Sequence, residues 1–340
     1  MGLRGLQKDW LPAPGTPIGA TFYVRQSQPW LKHYFGVDRL RSTLAPGVGG
    51  IVRWGGRIPA KAASLIASGR RLPVWYLEDG FLRSVGLGKD LTLPISIQID
   101  DRGMPIDASR PSRLEGLIGG ADAGAEAVGT SVREAIVRNR LSKYNNLPHR
   151  SPRFEQTTRQ RLLLVDQVAG DVSVPLAQGT ARSFLEMLED ALATGAQCVV
   201  RTHPDVMAGY RKGYLAQHAA GSPGVILSAD PISAASVLEA VDEVWTVSSQ
   251  FGFDALLRGL PVRCYGAPFY AGWGLTDDHF SEQARRALGT RRATGATVDQ
   301  LAAAALALYP VYRDTRIWEE IDVFQAIERL AAERRQLDLD

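Results

Sequence analysis

Carboxylates, a histidine, paired serines and an aromatic–glycine run stand where short apolar stretches end, and each has a chemistry to offer. Glu78-Asp79-Gly80 follows the apolar run Val74–Leu77. Adjacent carboxylates before a permissive glycine can place one side chain in a crevice and the other against backbone, where one could take a proton from a hydroxyl or steady a developing cation. The plainer reading is an acidic turn. Asp166-Gln167-Val168-Ala169-Gly170-Asp171 follows a second apolar run. Gly170 lets that loop turn sharply, so Asp171 can serve as a nucleophile or merely cap the next turn. His203-Pro204 ends a third run; proline biases His203 toward extended backbone, from which an imidazole can donate to a phosphate. Ser248-Ser249-Gln250 opens a helical stretch whose N-terminus offers hydroxyls and amides to an anion, with Asp254 one turn in and within reach of a ribose hydroxyl. Arg83 and Ser84, before Gly86 and Gly88, could hold a negative group. Pro268–Thr276, with Tyr270 and Trp273, could pack over a sugar or base, or pin two domains together.

These residues need strand ends to hold them. From Arg161 onward, short apolar runs alternate with helical patterns: Leu162–Asp166, Gln197–Thr202, Gly224–Ser228, Glu243–Val247 and Pro261–Tyr265 are strand-like. Thr180–Thr194, Ala234–Ala240 and Gln250–Arg258 are helical. Such alternation predicts βαβ units and a parallel, Rossmann-like sheet covered on both faces. The N-terminal half is less regular. Gly49–Trp54, Val74–Leu77 and Ile95–Ile99 read as strands, with helices at Ala60–Gly69, Arg113–Ile118 and Ser131–Leu141. The polar stretch Pro148–Gln160 reads as a linker, and Val298–Leu308 and Trp318–Arg335 as closing helices. The expected fold class is α/β and GT-B-like, two Rossmann-like domains facing a cleft. An N-terminal α/β domain spans 1–150, a Rossmann-like domain 151–295, and helices at 296–340 pack back across both. That outline is shared by many proteins and decides no function.

Composition sets limits. The 340 residues are 45% hydrophobic and 22% charged, a globular balance that excludes a disordered or low-complexity chain. Thirty-nine Lys and Arg face 36 Asp and Glu, a net charge of +3 too small to imply a nucleic-acid partner. Two cysteines, Cys198 and Cys264, lie in apolar runs and read as core filler, too few for a disulfide framework or a zinc site. The five histidines form no HxH or HExxH pair, so no metal ligand set is expected. Met1–Ala20 has no signal-peptide run and no segment reaches the length of a membrane span. A cytoplasmic protein is expected, compatible with peripheral attachment to the inner face of the membrane. The basic segments Arg150–Arg161, Arg285–Arg292 and Arg329–Arg335 are its candidate contacts.

The order acidic-Asp-Gly, His-Pro, Ser-Ser is similar to bacterial GT-B sialyltransferases that use CMP-activated sugars. The fuller wording resembles the capsule polysaccharide β-Kdo transferases more closely. Glu78–Gly88, Ser142-Lys143-Tyr144-Asn145, Asp166-Gln167 with Gly170-Asp171, His203-Pro204, and Ser248-Ser249-Gln250 through Pro268–Thr276 carry that likeness. The resemblance implies transfer of Kdo (3-deoxy-D-manno-octulosonic acid) from CMP-β-Kdo with retention, without cofactor or metal, to a lipid-linked saccharide of the capsule's poly-Kdo linker. Other capsule assembly proteins are then possible partners. Under it the domain 1–150 is the acceptor side and the domain 151–295 the nucleotide-sugar side. Asp171 is the nucleophile and Glu78 or Asp79 the proton carrier. His203, Pro204, Ser248, Ser249, Gln250 and Asp254 face the nucleotide. Arg83, Ser84, Lys143, Gln167, Tyr270 and Trp273 face the sugar, acceptor or donor carboxylate, with Arg83 or Lys143 offsetting repulsion at the anomeric centre. The alternatives are an inverting CMP-sugar transferase, in which Asp79 is the base and Asp171 dispensable, and a non-catalytic capsule assembly or export protein.

Overall fold

In the computed structural model, which describes residues 8–55, 58–87 and 91–340, two six-stranded sheets are built from opposite halves of the chain. Gly88, the last glycine of the acidic loop, lies outside the described residues. In chain order the strands are β1 (Ile18–Ala20), β2 (Arg41–Ser42), β3 (Gly50–Trp54), β4 (Val74–Asp79), β5 (Ser96–Asp100), β6 (Arg161–Val165), β7 (Gln197–Arg201), β8 (Val225–Ser228), β9 (Glu243–Thr246), β10 (Val262–Cys264), β11 (Asp277–Asp278) and β12 (Val311–Tyr312).

The second sheet has the order β11-β10-β9-β6-β7-β8 and every pairing is parallel. Counted within the domain this is 3-2-1-4-5-6, the doubly wound order of dinucleotide-binding folds, and it places the topological switch between β6 and β9. The apolar runs Leu162–Val165 and Cys198–Val200 are buried because helices cover both faces; Thr180 caps the helix Ala181–Ala193, which packs Phe184, Met187 and Ala191 against one of them. Cys198 and Cys264 are buried free thiols in this core.

The first sheet departs from a Rossmann pattern. Its order is β12-β5-β4-β3-β1-β2, with β5 and β12 antiparallel. The turn Asp100–Gly103 closes around the Asp100 carboxylate, which accepts from the Arg102, Gly103 and Arg113 amides and from the Tyr309 hydroxyl. Strand β12 comes from the far end of the chain, so the segment 296–340 is stitched into the N-terminal sheet. Sequence periodicity missed β1, β2 and β12 because two or three residues are too few to show a period. The helix read at Ser131–Leu141 starts eight residues earlier, at Ala123, capped by Asp122. The strand read as Val74–Leu77 runs on through Glu78 and Asp79.

One continuous core joins the halves: Phe81 of the first packs on Phe253 and Phe269 of the second, ring centroids 5.9 and 4.4 Å apart. Glu115 receives Arg291 at 3.1 Å and Arg292 at 2.8 Å, a buried bridge between the helix Arg113–Gly119 and the loop after Leu288. The closing helix Val298–Ala302 lies so tightly on the helix Ala123–Arg138 that a Cβ on Gly129 would sit 1.8 Å from the Asp299 carbonyl oxygen. Gly129→Val therefore forces the closing segment off its seat. We expect it to destabilise the fold by about 3 kcal/mol or more, read as a lower urea midpoint; an unchanged midpoint refutes this packing.

Candidate active site

The carboxyl ends of β6 and β9 meet at the switch point, and a single amide side chain joins them. Gln167, the second residue after β6, accepts from the Ser248 amide at 3.1 Å through Oε1 and donates through Nε2 to Ser248 Oγ at 3.0 Å and Ser173 Oγ at 3.1 Å. The two serine hydroxyls are 3.1 Å apart. Asp171 sits on this network, half-buried: Oδ1 accepts from the Ser173 amide at 2.9 Å and Oδ2 from Gln167 Nε2 at 3.4 Å. Gly170, at φ +86°, makes the turn that brings Asp171 there. Asp166, buried, is spent on the scaffold. It accepts from the Gln167, Tyr214 and Leu215 amides and the Thr202 hydroxyl, and a Cβ on Gly213 would meet it at 2.2 Å.

Across from this network stands the end of β4. Glu78 and Asp79 are consecutive strand residues, so their side chains leave on opposite faces. Asp79 is held by Arg83, Nε to Oδ1 at 2.9 Å. Glu78 accepts from the Asp79 amide at 3.1 Å. Burial pushes the Glu78 carboxyl above its usual range, against the pull of Lys143, and the charges of Asp79 and Asp171 push it further. The carboxylates of the two sheets are thus close enough to feel one another. Burial alone would lower the Lys143 ammonium, but Tyr144, Glu78 and Asp79 hold it above its ordinary value, so it stays cationic among the acids. Tyr144 is partly exposed and lies beside both Lys143 and Arg83, each 5.7 Å from its ring centroid; with Ser173 and Tyr214, whose hydroxyl receives the Gly170 amide at 3.3 Å, it belongs to the site although no catalytic pattern singles it out in the sequence.

Several sequence expectations are corrected. Tyr270 is 0% and Trp273 2% exposed, so neither can stack on a sugar. Tyr270 instead donates to the Ser249 carbonyl at 2.5 Å, Trp273 donates to the Phe269 carbonyl at 3.0 Å, and the aromatic loop pins the domains. Asp254 is buried beside Arg258 and Lys143, which rules out a ribose contact. The Ser248 and Ser249 amides are not free for an anion, being bonded to Gln167 Oε1 and Thr246 Oγ1. Gln250 turns from the nucleotide side to hold the Phe81 carbonyl at 2.7 Å. Ser84 is buried, its hydroxyl donating to the Gly86 carbonyl at 2.6 Å, where no sugar reaches it. Arg83 is buried against Asp79, and Lys143 is the cation that acts on Glu78. His203 is exposed beyond β7, with Nδ1 accepting from the Asp205 amide at 3.1 Å. That bond leaves Nε2 as the free donor in the neutral ring. Pro204 opens the helix Pro204–Met207 behind it. Among the described residues no group of three or more His, Cys, Asp or Glu side chains gathers as a metal site, and no helix is long and apolar enough to cross a membrane.

Two α/β domains whose strand ends face one another, with acids from both sheets between them, define the GT-B-like class of fold. Comparison with known proteins agrees. A family model described as capsule polysaccharide biosynthesis protein matches residues 50–312. The capsule polysaccharide modification protein LipA of Neisseria meningitidis serogroup B is 40% identical over 296 residues, 85% of this chain and 42% of LipA. The lipopolysaccharide-processing protein LpsZ of Rhizobium meliloti is 36% identical over 324 residues, 92% of this chain and 69% of LpsZ. Among solved structures, the β-Kdo 2,4 transferase of Thermosulfurimonas dismutans KpsC superposes with a TM-score of 0.84 at 34% identity, covering 94% of this chain and 99% of that one. The β-Kdo 2,7 transferase of the same protein shares the fold, with a TM-score of 0.67 at 24% identity. The chain belongs to the capsule polysaccharide biosynthesis protein family. It spans about two-fifths of the LipA proteins' length.

The buried Asp254 has a consequence for stability. Burial lifts its carboxyl from an ordinary 3.8 to about 7, against the pull of Arg258 and Lys143. Between those two values the folded chain keeps a proton that the unfolded chain has released, so this residue's contribution to stability falls as pH rises from about 4 to about 7 and levels off above. Asp254→Asn should remove that slope and gain a few kcal/mol near pH 8 relative to the parent. Urea unfolding at pH 5 and 8 measures both; parallel profiles for the two proteins would place the Asp254 titration elsewhere.

Proposed function

We propose that this chain is a glycosyltransferase of capsule biosynthesis that moves Kdo from CMP-β-Kdo to a lipid-linked saccharide with retention of configuration. The observation that carries this reading is the pair Glu78 and Asp171, acids from the two halves of the chain: Asp171 is tethered by hydrogen bonds, and its charge is among those that raise the pKa of buried Glu78. The solved β-Kdo 2,4 transferase with a TM-score of 0.84 supports the choice of sugar.

Retention by double displacement then assigns roles. The Asp171 carboxylate attacks the anomeric carbon of Kdo as the bond to the phosphate oxygen of CMP breaks, giving a glycosyl ester and CMP. His203 Nε2 and the Ser249 hydroxyl meet the departing phosphate charge; Ser248, engaged with Gln167 and Ser173, positions Asp171 rather than the nucleotide. An acceptor hydroxyl next attacks that carbon, its proton passing to Glu78, and Asp171 is released as carboxylate. Glu78 suits this work because its pKa is raised, whereas Asp79 is neutralised by Arg83. Lys143 offsets the repulsion between Asp171 and the donor's own carboxylate.

Incubation with freshly generated CMP-Kdo and a Kdo-bearing acceptor, read by mass and linkage analysis, tests the reading. Asp171→Asn should lose at least about a thousandfold in kcat, as expected for a missing nucleophile, yet still bind CMP, and trapped parent enzyme should carry one Kdo on Asp171. An inverted product anomer overturns the double displacement. The acid limb of kcat/KM should fall above pH 4.5, the ordinary value from which Glu78 is raised, because the base must be ionised. Glu78→Gln should abolish that limb together with transfer; a limb that survives assigns the proton to another group.

A further inference from the structure

The basic segments that composition marks for membrane contact are largely spent inside the fold. Arg291 and Arg292 bind Glu115, Arg329 pairs with Asp314, Arg334 is fully buried against Asp340 and backbone carbonyls, and Arg161 is bonded to Gln197 and the Ala240 carbonyl. None of the three segments exposes a large apolar side chain. A different surface combines the two properties. The short helix Phe22–Ser27 after β1 exposes Phe22 at 70% and Tyr23 at 56%, and Leu44 after β2 is 71% exposed. Between them Arg25, Arg39 and Arg41 line one cavity of about 360 Å³ with Ser42, Ala45 and Pro46. Arg39 and Arg41 also line an adjoining cavity of about 510 Å³, where Asp38 is the one acid against the two arginines. Among the described residues none of these three arginines has a carboxylate partner within ion-pair distance, and the buried Arg25 Nε has no hydrogen-bond partner.

From this we infer that the Phe22–Arg25–Arg41–Leu44 surface docks the protein on an anionic phospholipid bilayer, with lipid phosphates taken into the arginine-lined cavity; the inference rests on the lipid-linked acceptor proposed above. Aromatic and leucyl side chains suit the headgroup–acyl boundary, and unpaired guanidiniums suit phosphate. A second copy pairing along the edge strand β2 would set Arg39 and Arg41 against their own counterparts, which like-charge repulsion opposes. The position also serves the chemistry. β1, β3 and β4 are parallel neighbours, so Phe22, just after β1, lies toward the same carboxyl end of the sheet as Glu78 and Asp79, two strand spacings or roughly 10 Å to the side. A bilayer there presents its anchored saccharide beside the acids.

Flotation of the full chain with phosphatidylglycerol-containing and pure phosphatidylcholine vesicles tests this. The parent should partition onto the anionic vesicles at low salt and leave them at high salt. A triple Arg25→Glu, Arg39→Glu, Arg41→Glu variant and a triple Phe22→Ser, Tyr23→Ser, Leu44→Ser variant should each bind at least about tenfold more weakly. Both should keep the parent's circular dichroism and its transfer to a soluble, lipid-free acceptor. Partition unchanged in both variants overturns the inference. So does a parent that ignores anionic vesicles, or one whose partition is lost instead in Arg211→Glu, Lys212→Glu, beside exposed Met207 and Tyr210. Absent Kdo transfer with intact, patch-dependent partition would sink the proposed function alone.

Discussion

The site hangs on one side-chain amide. In a doubly wound sheet the chain leaves β6 and β9 toward opposite flanks, which opens a crevice between their ends that backbone hydrogen bonds cannot span. Gln167 closes it from both directions, accepting from the Ser248 amide and sharing its two N–H groups among two serine hydroxyls and Asp171. An amide is suited to this because it carries donor and acceptor on one rigid plane. A carboxylate could only accept, and would repel Asp171. On the second domain, Asp171, Ser173 and Ser248 are oriented from this residue outward.

The first domain is registered to that centre by a second set of contacts. Gln250, next to the paired serines, holds the Phe81 carbonyl, and Phe81 follows Glu78 by three residues. The segment that follows the strand carrying Glu78 is therefore bonded to the helix start beside Ser248 and Ser249. Tyr270 fixes the Ser249 carbonyl, and Glu115 with Arg291 and Arg292 clamps the helix Arg113–Gly119 to the second half of the chain. Together they give the two acids a defined separation, without which a nucleophile and a proton carrier on different domains could not act on one sugar carbon.

The residues that the sequence made legible are those whose chemistry is local. Buried parallel strands announce themselves as unbroken apolar runs, so the second domain could be read strand by strand. Carboxylates and hydroxyls at the ends of those runs follow from topology alone. What stayed hidden depends on distant partners. β12 joins β5 across some two hundred residues, and Asp254 looks like a surface helix residue until Leu141–Lys143 folds over it. The aromatic loop offered two readings, a sugar platform or a domain pin, and only burial separates them. The resemblance puts Gln167 among the sugar contacts, but its role as a bridge needs Ser248, eighty-one residues away.

The division of labour between neighbouring acids follows from strand geometry and charge count. Glu78, Asp79 and Asp171 bring three carboxylates near one crevice, against Arg83 and Lys143. With Arg83 committed to Asp79, the remaining balance is two acids to one lysine, and it is met by keeping Glu78 hard to ionise rather than by adding a cation. Asp171 is held in place by two hydrogen-bond donors, the Ser173 amide and Gln167 Nε2. A nucleophile must be ionised at rest, and a proton carrier must take up and give back its proton within a turnover. A pleated strand separates its two adjacent acids: one face turns Asp79 to its arginine, and the other leaves Glu78 to carry the proton. Exchanging the two residue types would shorten the reach across the crevice by one methylene and lengthen the arm beside Arg83, so the order Glu-Asp is itself part of the site.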